Sequence, residues 1–241
     1  MTEQTGQQSA HNPIAAILEA TTRYLATVAA MTDDELRAPS LLPGWSRGHV
    51  VAHVGNNAQG LARALRGLRT DTPVPIYDSP EARDAEIEAR SGGSAEELAM
   101  FSQFASLRLA GELNLMRAFG SVERTPGGPV LSMVDLVEAR WREVEIHHAD
   151  LGLAYGPADW PSDFASYLLT EAADDRADEV QLTLHAQDIG KTVRVGRGGH
   201  GVAGTAGALA WWLVGRGDGS DLVSTRPLPT LGAWTRRTPV K

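Results

Sequence analysis

Apolar positions along the chain fall into two regimes that change near residue 155. From Asn12 to Leu151 they recur at helical spacing, and beyond that they read as a helix, short alternating strands and a second helix. Asn12 is placed to cap a first helix with Pro13 at its favoured opening position, and Ile14, Ile17, Leu18, Leu25 and Val28 make its apolar stripe. A second helix follows Pro43-Gly44, with Ser46 as N-cap and Val50, Val54, Leu61, Leu65 and Leu68 on one face. Residues 70–93 then form a polar connection, rich in Pro and Gly, around a short charged helix that begins Ser79-Pro-Glu81; it is too long for a plain bundle turn. Ser94 opens a third helix with Leu98, Phe101, Ala105, Leu109, Leu113 and Met116 facing a core, and the Thr125 to Pro129 segment stops that region. The fourth helix spans about Ser132 to Leu151, with Val134, Val137, Trp141, Val144 and Leu151 on one side and Leu136 and Ile146 beside the opposite face. The pattern predicts a four-helix bundle over 1–154 and a small α+β unit over 155–241. In the second unit a helix over about Ser162 to Ala177 precedes a strand through Val180, Leu182 and Leu184. A hairpin turns at Asp188 to Gly190 into Thr192 to Val195, and Gly201 to Trp212 reads as a strand fragment and an apolar helix.

Composition narrows the function classes. The 241 residues carry 22 Lys and Arg against 30 Asp and Glu, a net charge of −8 that repels polyanions, so nucleic acid is not an expected partner. The chain has 0 cysteines, which removes disulfides, thiolate metal sites and a cysteine nucleophile; any thiol chemistry must use an external thiol. No apolar run is long enough for a membrane span, and the opening residues lack the basic and apolar regions of a secretory signal, so a cytoplasmic protein is expected. A monomer is the expectation for its assembly.

Candidate chemistry concentrates on the second and fourth helices. The Gly196 to Gly201 segment satisfies G-x-G-x-x-G, but it follows a hairpin rather than opening a βαβ unit, and is read as a glycine-rich turn between strands. His49 and His53 are an i,i+4 pair; measured from the centre of the apolar stripe, His53 falls about 80° away and His49 about 120°, which makes His53 the inward one. On the fourth helix Arg140, Glu143, His147 and Asp150 form a ladder along one face. That helix reads as buried nearly all round, and a buried carboxylate and imidazole are costly unless paired or metal-bound, so Glu143 and His147 facing His53 make a coherent His₂Glu metal site. Periodicity alone puts His148 on the apolar stripe, whereas the spacing to Glu143 and Asp150 favours His147; the residues leave both open. Three protein ligands with an open fourth position is the catalytic form of a zinc site, although other divalent metals suit the same donors.

Four segments, Gly44-Trp-Ser-Arg-Gly-His-Val-Val-Ala-His53-Val, Ser79-Pro-Glu-Ala-Arg83, Arg142-Glu143-Val-Glu-Ile-His147-His-Ala-Asp150-Leu-Gly and Gly215-Arg216-Gly217, resemble the mycothiol-dependent maleylpyruvate isomerases. That family belongs to the DinB-like four-helix-bundle metalloproteins and carries a small C-terminal α+β domain similar to sterol carrier proteins. The resemblance implies a metal held by His53, Glu143 and His147, and a functional arginine at Arg216. It implies zinc and mycothiol as cofactors, with zinc holding the thiol as thiolate while maleylpyruvate is converted to fumarylpyruvate, a step of gentisate-type aromatic catabolism. Arg216 and Arg83 are the candidate anchors for the dicarboxylate substrate; a solvated Arg216, or an Arg83 paired with a neighbouring glutamate, is the plainer alternative for each. Two rival functions keep the same site: a mycothiol S-transferase acting on another electrophile, and a non-catalytic metal- or ligand-binding module.

Overall fold

The computed structural model describes residues 13–115 and 120–234. The chain divides into two compact units, Met1–Leu151 and Gly152–Lys241. In the first, four long helices form a bundle: α1 (Pro13–Ala30), α3 (Arg47–Arg69), α5 (Ala95–Leu115) and α6 (Met133–Asp150), with short α2 (Asp33–Arg37) and α4 (Pro80–Ser91) between them. Helices α3 and α1 each pack on both α5 and α6, so the four close into a ring, and α4 lies along α3. Asn12 and Met116 lie outside the described residues. Local chemistry sets the helix starts: Ser46 caps α3 through the His49 amide, Ser79 caps α4 with Pro80 behind it, and Ser132 and Asp135 make a reciprocal cap on α6.

Several elements depart from expectation. Helix α2, opened by a Thr32–Glu35 capping box, buries only Leu36 and is too short to leave a periodic stripe. The Thr125 to Pro129 segment is the turn of a small antiparallel hairpin, β1 (Ser121–Glu123) with β2 (Val130–Ser132), rather than a plain helix stop. Val134, expected on the buried side of α6, is exposed: the first turn buries Met133, Leu136 and Val137, and Val134 lies off that face. The buried face of α1 is Ile17, Ala20, Tyr24 and Val28, with Leu25 only half-buried. Helix α3 exceeds an amphipathic stripe: every residue from Val50 to Ala58 is buried, because α4, α5 and α6 surround it.

The second unit begins with a short 3₁₀ turn at Pro157–Asp159 and helix α7 (Ser162–Asp175). A four-stranded sheet follows, in the order β4 (Lys191–Val195), β3 (Leu182–Ala186), β5 (His200–Gly204), β6 (Val223–Ser224), with α8 (Ala206–Leu213) packed on α7 and on β3. Strands β3 and β4 are the expected hairpin, while β5 pairs parallel to β3 on its other edge. To make that arrangement the chain crosses the start of β3 in only four residues, Gly196 to Gly199. A Cβ on Gly199 would lie 1.9 Å from the Gln181 carbonyl oxygen, so only glycine passes there. Gly196 and Gly198, the first two glycines of the G-x-G-x-x-G match, take φ +57° and +79° in this same turn, so glycine is required there by the backbone. No described helix is long and apolar enough to cross a membrane.

Candidate metal centre

Near the N-terminal end of α3 and the C-terminal end of α6, three side chains converge. His53 Nε2 lies 2.8 Å from Glu143 Oε2, His147 Nε2 lies 3.4 Å from the same oxygen, and the two Nε2 atoms are 3.2 Å apart. The sequence achieves this locally: Glu143 and His147 are one turn apart on α6, and the contact of α6 with α3 brings His53 opposite them. The edge of a tetrahedron with zinc-to-ligand arms of about 2.0–2.1 Å is about 3.3 Å, so the triangle has the size such an ion requires. The donor set could hold a metal ion through one atom from each residue. His147 presents the correct nitrogen: its Nδ1 is 2.8 Å from Asp150 Oδ2, which holds the proton on Nδ1 and leaves the Nε2 lone pair facing the triangle.

Electrostatics distinguish the three groups. Burial lowers the His53 pKa from its ordinary value against the opposing pull of Glu143, so this ring is neutral at pH 7. For His147 burial acts in the same direction, but hydrogen bonds to Asp150 and Glu143 outweigh it and raise the pKa to about 9. Burial would raise Glu143, yet His53 and His147 hold it well below the usual carboxylate range. Without a metal, then, a proton sits on His147 at neutral pH, and a metal must displace it. Zinc binding to metal-free protein at pH 7 is expected to release about one proton, and affinity should rise roughly tenfold per pH unit up to pH ~9. Calorimetric titration in buffers of different ionisation enthalpy measures this; heat independent of the buffer would place the metal elsewhere.

The other sequence candidates occupy distinct positions. His49 belongs to the helix cap: its Nδ1 accepts from the Ser46 backbone N–H and its Nε2 is 3.1 Å from Glu88. His148 is buried but faces α1, with Nε2 2.8 Å from Thr27 Oγ1 and its ring edge-on to Tyr24. Arg83, from α4, reaches the triangle: Nη2 is 3.3 Å from His53 Nδ1 while Nη1 pairs with Asp84, rather than with a glutamate. Arg216 lies in the second unit, just past α8, where its amide and that of Gly215 bond back to Trp211 and Trp212. Gly215 takes φ +74° to make this helix stop, and the Arg216 guanidinium sits 5.6 Å over the Trp211 ring.

Four further residues complete the surroundings. Trp45 sets its ring edge against His53 at 5.6 Å and stacks on His49, shielding one side of the triangle. Tyr77 lies in the connection before α4, under the Arg83 guanidinium, and its hydroxyl accepts from Asn57 Nδ2 at 3.2 Å. Asn57 in turn accepts from Arg140 Nη1 at 2.8 Å. Trp45 lies in the Gly44 to Val54 segment, where the sequence gives it no role; Asn57, one turn beyond His53, is legible only as a polar residue on a buried helix.

The bundle and its His₂Glu triangle define a helical protein with a candidate metal centre, and comparison with known proteins narrows the class. The mycothiol maleylpyruvate isomerase N-terminal domain model matches residues 17–152, over half of the chain, and the protein belongs to that family. Among solved structures it is similar to the mycothiol-dependent maleylpyruvate isomerase, at 25% identity and a TM-score of 0.82, over 92% of this chain and 95% of that one. A histidine-to-alanine mutant of that enzyme matches at 24% identity with a TM-score of 0.81, which shows the fold alone. No curated protein sequence matches significantly.

Proposed function

We propose that the protein is a mycothiol-dependent cis–trans isomerase converting maleylpyruvate to fumarylpyruvate. The observation that carries the reading is the His53, Glu143 and His147 triangle, whose three donors leave a fourth position for a thiol. Zinc held by these residues would supply the positive charge that keeps an external thiol deprotonated at neutral pH. Asp150 fixes the His147 tautomer, and Trp45 keeps water from one side of the centre. Arg83 is held at His53 Nδ1 in the metal-free arrangement; a ring engaged through Nε2 carries its proton on Nδ1 and no longer accepts there, which releases the guanidinium toward a substrate carboxylate. Arg216 is assigned to the second carboxylate on the strength of its motif and its glycine-bounded position.

Mycothiol bound at the centre would supply reversible nucleophilic addition to the alkene, the displaced electron pair being carried by the conjugated carbonyl and returned on elimination, so that the former double bond could rotate and the thiol would be released unchanged. The thiol is regenerated, so substoichiometric mycothiol is expected to convert many equivalents of maleylpyruvate, followed by NMR. Conversion that stops at one equivalent identifies an S-transferase instead. Equal conversion without thiol overturns the mechanism, because this chain has 0 cysteines to replace it. No conversion with saturating zinc and thiol leaves a binding module.

A further inference from the structure

One turn deeper in the bundle than the metal triangle lies a cation with unused donors. Arg140 on α6 is 1% exposed, and its Nη1 donates to the Val54 carbonyl at 3.0 Å and to Asn57 Oδ1 at 2.8 Å. Its Nε and Nη2 are buried and meet no hydrogen-bond acceptor among the described residues, and the buried Tyr24 hydroxyl on α1 is likewise unpartnered. Among the described residues no carboxylate lies within ion-pair distance of this guanidinium; Glu143, the charge that most favours its protonated form, is engaged by His53 and His147.

A guanidinium stays charged even when buried, and such a cation is costly unless paired. Nε–H and Nη2–H lie on one edge of the planar group and point the same way, the fork that receives both oxygens of a carboxylate. Charge balance favours the same occupant. With a divalent cation at the triangle, Glu143 and Asp150 offset the ion, and Arg140 has no remaining counter-charge. Arg140 also precedes Glu143 by three residues on α6, about 4.5 Å along the helix axis, so the two stand about one turn apart.

We propose that the Nε and Nη2 edge of Arg140, with the Tyr24 hydroxyl in its field, seats the same substrate carboxylate that Arg83 approaches from α4, Arg216 keeping the other; this makes Arg140 a specificity-determining residue for unsaturated dicarboxylates. The assignment rests on the isomerase reading for the substrate but not for the site. The first test therefore uses maleate alone, without thiol, titrated into zinc-loaded protein by calorimetry. Maleate is expected to bind and its uncharged analogue maleamide is not. Arg140→Gln should weaken maleate roughly thirty-fold at unchanged zinc content, and in turnover should raise KM far more than it lowers kcat. If Arg140→Gln does not fold, Arg140→Lys keeps the charge without the fork and should still weaken maleate by about tenfold. Maleate that fails to bind wild type, or binds a folded variant as tightly, overturns the seat. Maleate binding that depends on Arg140 in a protein without isomerase activity leaves the seat standing and removes the isomerase reading. Isomerase turnover with KM indifferent to Arg140 does the reverse.

Discussion

Alanine at His147 is expected to leave the purified protein with less than about a tenth of its zinc after dialysis against a buffered zinc solution, while alanine at His148 leaves metal content unchanged. The two neighbours are separated by one step on the helix and face different partners. His147 points its Nε2 into the triangle and is steered by Asp150, whereas His148 points toward α1 and reaches Thr27. Losing His147 removes a ligand and one hydrogen-bond partner of the buried Asp150 carboxylate; losing His148 removes a core hydrogen bond and lowers stability rather than metal affinity. Metal analysis by plasma mass spectrometry, run beside a thermal melt, separates the two effects. Retained zinc in His147→Ala with loss in His148→Ala would overturn the proposed ligand set.

Alanine at Arg216 is expected to lower kcat/KM by about a hundredfold or more with zinc content intact, and lysine is expected to recover little of it. A guanidinium that grips a carboxylate through two parallel N–H groups is not replaced by an ammonium, which offers a point charge. The backbone around Arg216 supports a fixed presentation: the helix-stop hydrogen bonds of Gly215 and Arg216 anchor its base, and the Trp211 ring lies under its head. Steady-state kinetics at saturating mycothiol, with metal analysis on the same preparation, provide the check. Unchanged kinetics in Arg216→Ala would return this residue to the solvated surface.

The metal triangle was legible because a helix converts spacing into direction. Glu143 and His147 share a face by arithmetic, and His53 lies inward of His49 by the same arithmetic. Periodicity leaves His147 and His148 both open because a single apolar stripe describes only one buried face of α6. The helix touches both α1 and α3, so it has two buried faces, one taking His148 and the other His147. Periodicity identifies a stripe and cannot assign it to a partner. Helix α2 and the β1–β2 hairpin are hidden for another reason: a five-residue helix and three-residue strands hold too few repeats for a pattern to show. Tyr77 and the idle edge of Arg140 depend on long-range packing, which no local pattern carries. The turn made by Gly196 and Gly198 follows from the crossing between β4 and β5, a pairing the local sequence does not carry.

That four-residue passage beneath β3 has a consequence for how the small sheet holds its alignment. Leu182 is paired with Val195 on one side and His200 on the other, so both ladders of the central strand are referenced to the same end. With so little chain between those anchor points there is no slack to absorb a slip. Sliding β5 by a single residue would turn Val202 outward and drag the end of β4 with it, exposing Val193 and Val195 in the same movement. The two seams therefore act as one lock. An insertion at this crossing should be far more damaging than one of equal length in the Gly217 to Ser220 loop before β6, where only a two-residue edge strand depends on the spacing.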